Sequence, residues 1–390
     1  MSGTDALRGG PLAGVRIIEL AGIGPGPMAG MLLADMGAEV VLVERDVVRN
    51  SLSDGDISFR GKRSVVLDLK KTDGREAFLR LVETADAVIE GFRPGVCERL
   101  GIGPDECLHR NPRTIFGRIT GWGQSGPLAK SAGHDINYIA LTGALFSTGR
   151  AGAPPSIPLN LVGDMGGGGM LLAFGVVCGI LNARVSGRGQ VVDAAMVDGA
   201  SLLMWMIHSW HAQGRWDVHR RGVNLLDGGS PYYDTYETRD GGYVSIGPLE
   251  PQFYSDLLAR LGIDDERFTD QQNRAHWPVL RERLTHVFLS RTRAEWQQLL
   301  EGTDTCFAPV LALDEVPRHP HNREREAYLD IGGVIQPAPA PRFSATPPRV
   351  RHGPPDAGAD TTSILLGLGY GMDELAAMRE SGAIRESANA

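Results

Sequence analysis

The stretch VRIIELAGIGPGPMAGMLLADMGAEVVLVER, residues 15–45, decides the fold. Its ends, 15–20 and 39–44, are short runs rich in Val and Ile, and an apolar helical pattern fills 27–36 between them. Branched side chains are crowded in a helix but pack well on a pleated strand, so the ends read as strands and the middle as a helix. Further runs of the same kind stand at 64–69, 86–91 and 114–120, with a helical pattern at 75–83. Strands alternating with helices predict parallel βαβ units and an α/β class built on an open sheet.

Beyond residue 164 a glycine run leads into an apolar helix ending near 183, and 190–195 reads as another strand. Residues 202–211 read as a mixed apolar helix. From 228 the pattern changes to short strands at 232–238 and 242–246, followed by helices at 252–261, 278–289 and 293–301. That change marks a smaller α+β region. A Pro-rich stretch, 336–355, reads as a connector, and 361–385 carries one or two short helices.

At 390 residues and 42% hydrophobic content, the chain has enough material for two cores. A net charge of −8 argues against general nucleic-acid binding. The four cysteines (Cys97, Cys107, Cys178, Cys306) show no paired spacing, which suits a reducing compartment. No basic segment followed by an apolar core opens the chain, and Ser387-Ala388-Asn389-Ala390 is not a peroxisomal address. The longest apolar run, 170–181, is short of the roughly 20 residues of a membrane span and reads as a buried helix. The expectation is a cytoplasmic protein with no membrane span. His319-Pro320-His321 has no partner cluster to make it a metal site. Gly22 to Gly26 with Glu44 resembles a dinucleotide fingerprint but lacks the last glycine and has prolines in the turn.

The chemistry concentrates in Gly133-His134-Asp135-Ile136-Asn137-Tyr138 and in Asn160-Leu161-Val162-Gly163-Asp164, the latter followed by Met165 and Gly166 to Gly169. An imidazole and a carboxylate, each preceded by glycine, exchange protons near neutral pH once burial and neighbours adjust them. Set on opposite sides of one carbon acid, they suit a racemase or epimerase.

These segments, with RGKRSVVLDLK (60–70), EGFRPGVCERLGIGP (90–104), TGWGQSGP (120–127), GRGQVVDAAMVDG (187–199), GGSPYYDTYETRDGGYVSIGPLEPQF (228–253) and PAPAPRFS (337–344), resemble the class III CoA-transferase superfamily. Within it the chain is similar to the branch that racemises 2-methylacyl-CoA thioesters, over nearly its whole length. The resemblance implies a Rossmann-like large domain formed by 1–200 and a return segment, 331–390. A linker helix over 201–227 and a small α+β domain over 228–330 complete the division, and an interlocked homodimer is implied.

The same resemblance implies four catalytic residues. His134 handles the proton of the S-substrate and Asp164 that of the R-substrate, with Glu250 the partner of His134 and Asn160 that of Asp164. An enolate oxygen needs backbone N–H groups at a helix N-terminus, a need that Asp164 and the glycines after it fit. Asp164 also reads as a helix N-cap. For CoA, the family pattern implies Arg45, Leu67, Asp68, Leu69, Lys70, Gly91, Phe92, Arg93 and Arg99. Gly133, Asp135, Ile136, Asn137 and Tyr138 join them along the thioester path, although Asp135 is ranked as structural. Arg60, Lys62 and Arg63 are weaker candidates; Tyr233 and Leu249 are assigned to an acyl pocket. The substrate would be 2-methylacyl-CoA, with no cofactor and no metal. A CoA-transferase with Asp164 as nucleophile is the nearest alternative. A CoA-binding protein without catalysis is more distant, and an NAD-dependent dehydrogenase more distant still.

Overall fold

The computed structural model describes residues 9–45 and 55–387. The first residues of the chain and the last three of its C-terminal tetrapeptide lie outside them. Two compact units divide the chain: Met1–Thr142, Leu159–Met204 and Glu326–Ala390 form the first, Gly143–Pro158 and Trp205–Arg325 the second. Thus the stretch 143–158 groups with the second unit.

The first unit holds β1 (Arg16–Leu20), β2 (Glu39–Glu44), β3 (Arg63–Leu67), β4 (Ala87–Glu90), β5 (Ile115–Thr120) and β6 (Gln190–Ala195). Their order across the sheet is β3-β2-β1-β4-β5-β6, all parallel. A two-residue strand, Ile384–Arg385, pairs antiparallel with the free edge of β3. The expected α/β class with an open parallel sheet is therefore observed. This order reverses between β1 and β4, and in such sheets the crevice at the carboxyl ends of the strands receives ligands. Ile18, Val41, Val65 and Phe116 build the core on one side, and Ile17, Val40, Ile89 and Ile115 build it on the other.

The helix Pro25–Asp35 follows β1, with proline in its first turn where the missing N–H costs nothing. The run expected as a loop and a buried helix is one continuous helical stretch, Leu161–Ser186. It begins as a π-helix, Leu161–Met170, and continues as the α-helix Leu171–Ser186. At 26 residues with a mean hydropathy of 1.6 it meets the length and composition of a membrane span. One face instead packs on the sheet, where Gly117 leaves room for Leu172 and Val176, and Gly179 for Ile115. The opposite face, with Phe174, Leu181 and Val185, is exposed, so the expected burial applies to one side only.

The expected helix 202–211 is two, Met196–Leu203 and Trp205–Ala212. The second unit has a three-stranded antiparallel sheet (Asp234–Glu237, Tyr243–Ile246, Phe307–Val310). Its helices Pro251–Arg260, Trp277–Phe288 and Arg293–Leu300 bury Leu257, Leu284 and Trp296 in a separate aromatic core.

Candidate functional site

His134 stands in extended backbone immediately before the helix Asp135–Ala140. Its N–H donates to the side-chain oxygen of Asn137 at 3.1 Å, while its carbonyl accepts from Asn137 and Tyr138. The imidazole is exposed, as are Ile136 and Asn137. The segment is helical rather than extended. Asp135 turns inward as a result, where it is 5% exposed and accepts the N–H of Asp164 at 2.7 Å. Gly163 makes this approach possible, because a Cβ there would lie 2.6 Å from the Asp135 carboxylate. Asp135 therefore clamps the two segments together, in keeping with its ranking as structural.

Tyr138 also packs inward. It is 7% exposed, its hydroxyl donates to the Gly133 carbonyl, and its ring fills the space that Gly121 and Gly133 leave. Trp122 meets it edge-on at 4.8 Å. Two glycines without side chains let an aromatic ring brace the loop that presents His134.

Asp164 lies inside the π-helix, so it is not an N-cap; Asn160 holds that position. The Asn160 amide donates to the Asp164 carboxylate at 3.3 Å. Burial raises the Asp164 pKa above the ordinary value and the charge of Asp135 adds to this, whereas the Asn160 bond and the charge of His134 lower it. His134 and Asp164 thus lie within reach of each other's charge. A wide π turn inside an α-helix is a rare arrangement that recurs at functional sites.

The glycines after Asp164 allow close packing. A Cβ on Gly167 would lie 2.6 Å from the Ala200 nitrogen, and one on Gly169 would lie 2.8 Å from the Pro25 carbonyl. What faces the Asp164 carboxylate instead is Gly24, at the start of Pro25–Asp35, in a backbone conformation of φ 71°. Nothing in the sequence of the glycine–proline turn 22–26 signals its position beside Asp164. Glu44, the fingerprint's acid, is buried and accepts the Ser64 hydroxyl.

At the carboxyl ends of β1, β2 and β3 lies a cavity of about 480 Å³, lined by Leu20, Arg45, Asp68, Leu69, Lys70, Phe92 and Arg99 among others. Leu67 forms part of its wall, with a side chain that belongs to the core. Phe92 is fixed by its N–H, which donates to Glu90 at 2.6 Å. Arg45 and Lys70 also line a second hollow with Arg385. Gly91 and Arg93 follow β4, and the charge of Arg93 reaches the Tyr138 phenol together with that of Asp164. Among the described residues, no ion pair includes Arg45, Lys70, Arg93 or Arg99.

The weaker basic candidates behave differently. Lys62 is 0% exposed, pairs with Glu19 at 2.6 Å and donates to the Pro27 carbonyl at 3.0 Å. Arg60 is buried against Asp35 at 2.6 Å, and Arg63 reaches Glu39 and Asp360. Their charges are used inside the protein, which removes Arg60 and Lys62 from any ligand surface.

Glu250 belongs to the second unit, exposed at the start of Pro251–Arg260, where its carbonyl accepts the Tyr254 N–H. Burial pushes the Cys306 thiol up, and the Glu250 charge pushes it further. Tyr233 lines a cavity of about 500 Å³ with Gly247 and Cys306. Leu249 packs on the aromatic core.

Comparison with known proteins adds to this geometry. The family model described as CoA-transferase family III matches residues 12–361. The chain is 44% identical to the alpha-methylacyl-CoA racemase of Mus musculus over 367 residues, covering 93% of this chain and 95% of that protein. It is 41% identical to the Homo sapiens racemase of the same name, with the same coverage. The crystal structure of Rv3272 from M. tuberculosis superposes with a TM-score of 0.77 at 30% identity, covering 91% of this chain and 99% of that one.

Proposed function

Because this chain belongs to CoA-transferase family III, we propose that it is an isomerase that interconverts (2R)- and (2S)-2-methylacyl-CoA. The racemase relatives, at 44% and 41% identity over most of the chain, support this activity. The observation that carries it is the approach of an imidazole and a half-buried carboxylate on two segments joined through Asp135.

In one direction neutral His134 takes the alpha hydrogen as a proton, an enolate forms, and protonated Asp164 returns a proton to the opposite face. In the other, ionised Asp164 is the base and protonated His134 the acid. The pair holds one proton before and after turnover and two while the enolate exists, and no electron leaves the substrate. Burial that raises the Asp164 pKa makes its protonated form accessible nearer neutral pH. The enolate oxygen is assigned to the first N–H groups of Asp135–Ala140, which have no carbonyl one turn earlier to meet them. The CoA moiety is assigned to the cavity around Arg45, Asp68, Lys70, Phe92 and Arg99, since paired guanidinium bonds suit phosphate. The thioester supplies the only other chemistry, so the reaction proceeds without a cofactor. Branched acyl chains and sterol side chains are the substrates this activity would serve.

Incubating one stereoisomer of 2-methylacyl-CoA in D2O, with no acceptor acid, tests the reading. The expected result is deuterium at the alpha carbon together with loss of optical purity. Movement of CoA only when a free carboxylate is added would overturn it in favour of a transferase. His134→Ala should slow exchange from the S-isomer by at least about 100-fold.

A further inference from the structure

The second unit holds a cavity of about 920 Å³ lined by none of the residues assigned to catalysis or to CoA. Four arginines line it, Arg150, Arg220, Arg274 and Arg281, against two acids, Asp234 and Glu237. A local excess of positive charge is unusual in a chain whose net charge is −8. From these observations we propose that the cavity binds the phosphate group of a small soluble molecule, at a site separate from the CoA cavity.

The arginines are held in place before any ligand arrives. Asp234 has a side chain only 4% exposed and pairs with Arg150 and Arg281. Arg281 also donates to the carbonyls of Gly228 and Gly229 at 2.8 and 2.9 Å, and Arg150 to the Thr235 hydroxyl at 3.1 Å. The floor is rigid as well. Asp227 accepts the N–H groups of Gly222, Asn224 and Gly229, and the fully buried Asn224 ties Asp217, Arg220 and Asp227 together. A solvated charge cluster has no need of such fixation, whereas fixed donors lower the entropic cost of holding an anion.

Arg274 lies over the Trp277 ring, 5.1 Å from its centroid, and among the described residues it has no acidic partner. Arg220 pairs through its Nε with Asp217 at 2.8 Å. The exposed Arg274 therefore gives the cavity a guanidinium with no acidic partner among the described residues, and Arg220 adds the terminal N–H groups left beyond its Nε bond to Asp217, in the planar geometry that matches phosphate oxygens.

The test is isothermal titration of the full-length protein with inorganic phosphate, and separately with pyrophosphate, in the presence of saturating CoA. Saturable binding is expected, with no equivalent response to sodium chloride at matched ionic strength. The double variant Arg220→Gln, Arg274→Gln should weaken binding roughly tenfold or more while keeping its unfolding midpoint and its exchange rate. The proposal is overturned if CoA abolishes phosphate binding, if chloride reproduces it, or if the double variant binds as tightly as the parent. Each of these results leaves the isomerase reading untouched, because none depends on turnover.

Discussion

The basic residues just ahead of β3 and those around the cavity at the carboxyl ends of the strands are opposite in use. Arg60 and Lys62 are buried, each against its own carboxylate, whereas Arg45, Lys70 and Arg99 line an open cavity. The difference teaches that a cationic run says nothing of itself about ligands; what matters is whether an acid waits on the neighbouring element. Glu19, in the middle of β1, and Gly30, on the adjoining helix, are that signal for Lys62. A Cβ on Gly30 would lie 1.7 Å from the Glu19 carboxylate, so the ion pair fits only against a bare backbone. Burial pushes Glu19 up to about 7 and Lys62 down, and their contact opposes both shifts.

The contrast breaks most readily at Lys62. Lys62→Met leaves the Glu19 carboxylate buried without a partner and should cost about 3–5 kcal/mol in urea unfolding. Adding Glu19→Leu should recover much of that loss, and a single variant as stable as the parent would show that the pair carries no structural role. On the other side, Arg45→Ala and Lys70→Ala should each raise KM for the CoA thioester on the order of tenfold, with the unfolding midpoint unchanged. Added salt should narrow that gap, because exposed charges are screened.

The smallest effect is expected from Asn160→Ala. The Asn160 bond favours the ionised form of Asp164, so its loss raises a pKa that burial has already raised. Below that pKa Asp164 is protonated and cannot act as a base. The acidic limb of the pH profile for exchange from the R-isomer should therefore move to higher pH. For the S-isomer, where Asp164 works as the acid, the affected limb is the alkaline one, and it also moves to higher pH.

Much of the fold was legible because β1 to β5 are β-branched runs closed by glycine, proline or charge, and their helices carry clean apolar periods. The helices at 252–261 and 278–289 were legible for the same reason, each found within a residue or two as Pro251–Arg260 and Trp277–Phe288. The glycine run after Asp164 misled. Glycine is costly in a helix, so the run read as a loop, but close packing on Met196–Leu203 and on the 22–26 turn compensates for that cost. The inward turn of Asp135 and Tyr138 was not legible, because a helical segment directs side chains that an extended one would alternate. The proximity of Asn160 and Asp164 follows once the helix is known, since four residues make about one turn.

The strand Ile384–Arg385 closes the edge of β3 from the far end of the chain. During synthesis that edge stays open until the final helices have left the ribosome, about 15 to 60 seconds after β3 itself at roughly 5–20 residues per second. For that interval the nascent sheet offers an unpaired margin to any other extended chain. Slower synthesis at low temperature prolongs the interval.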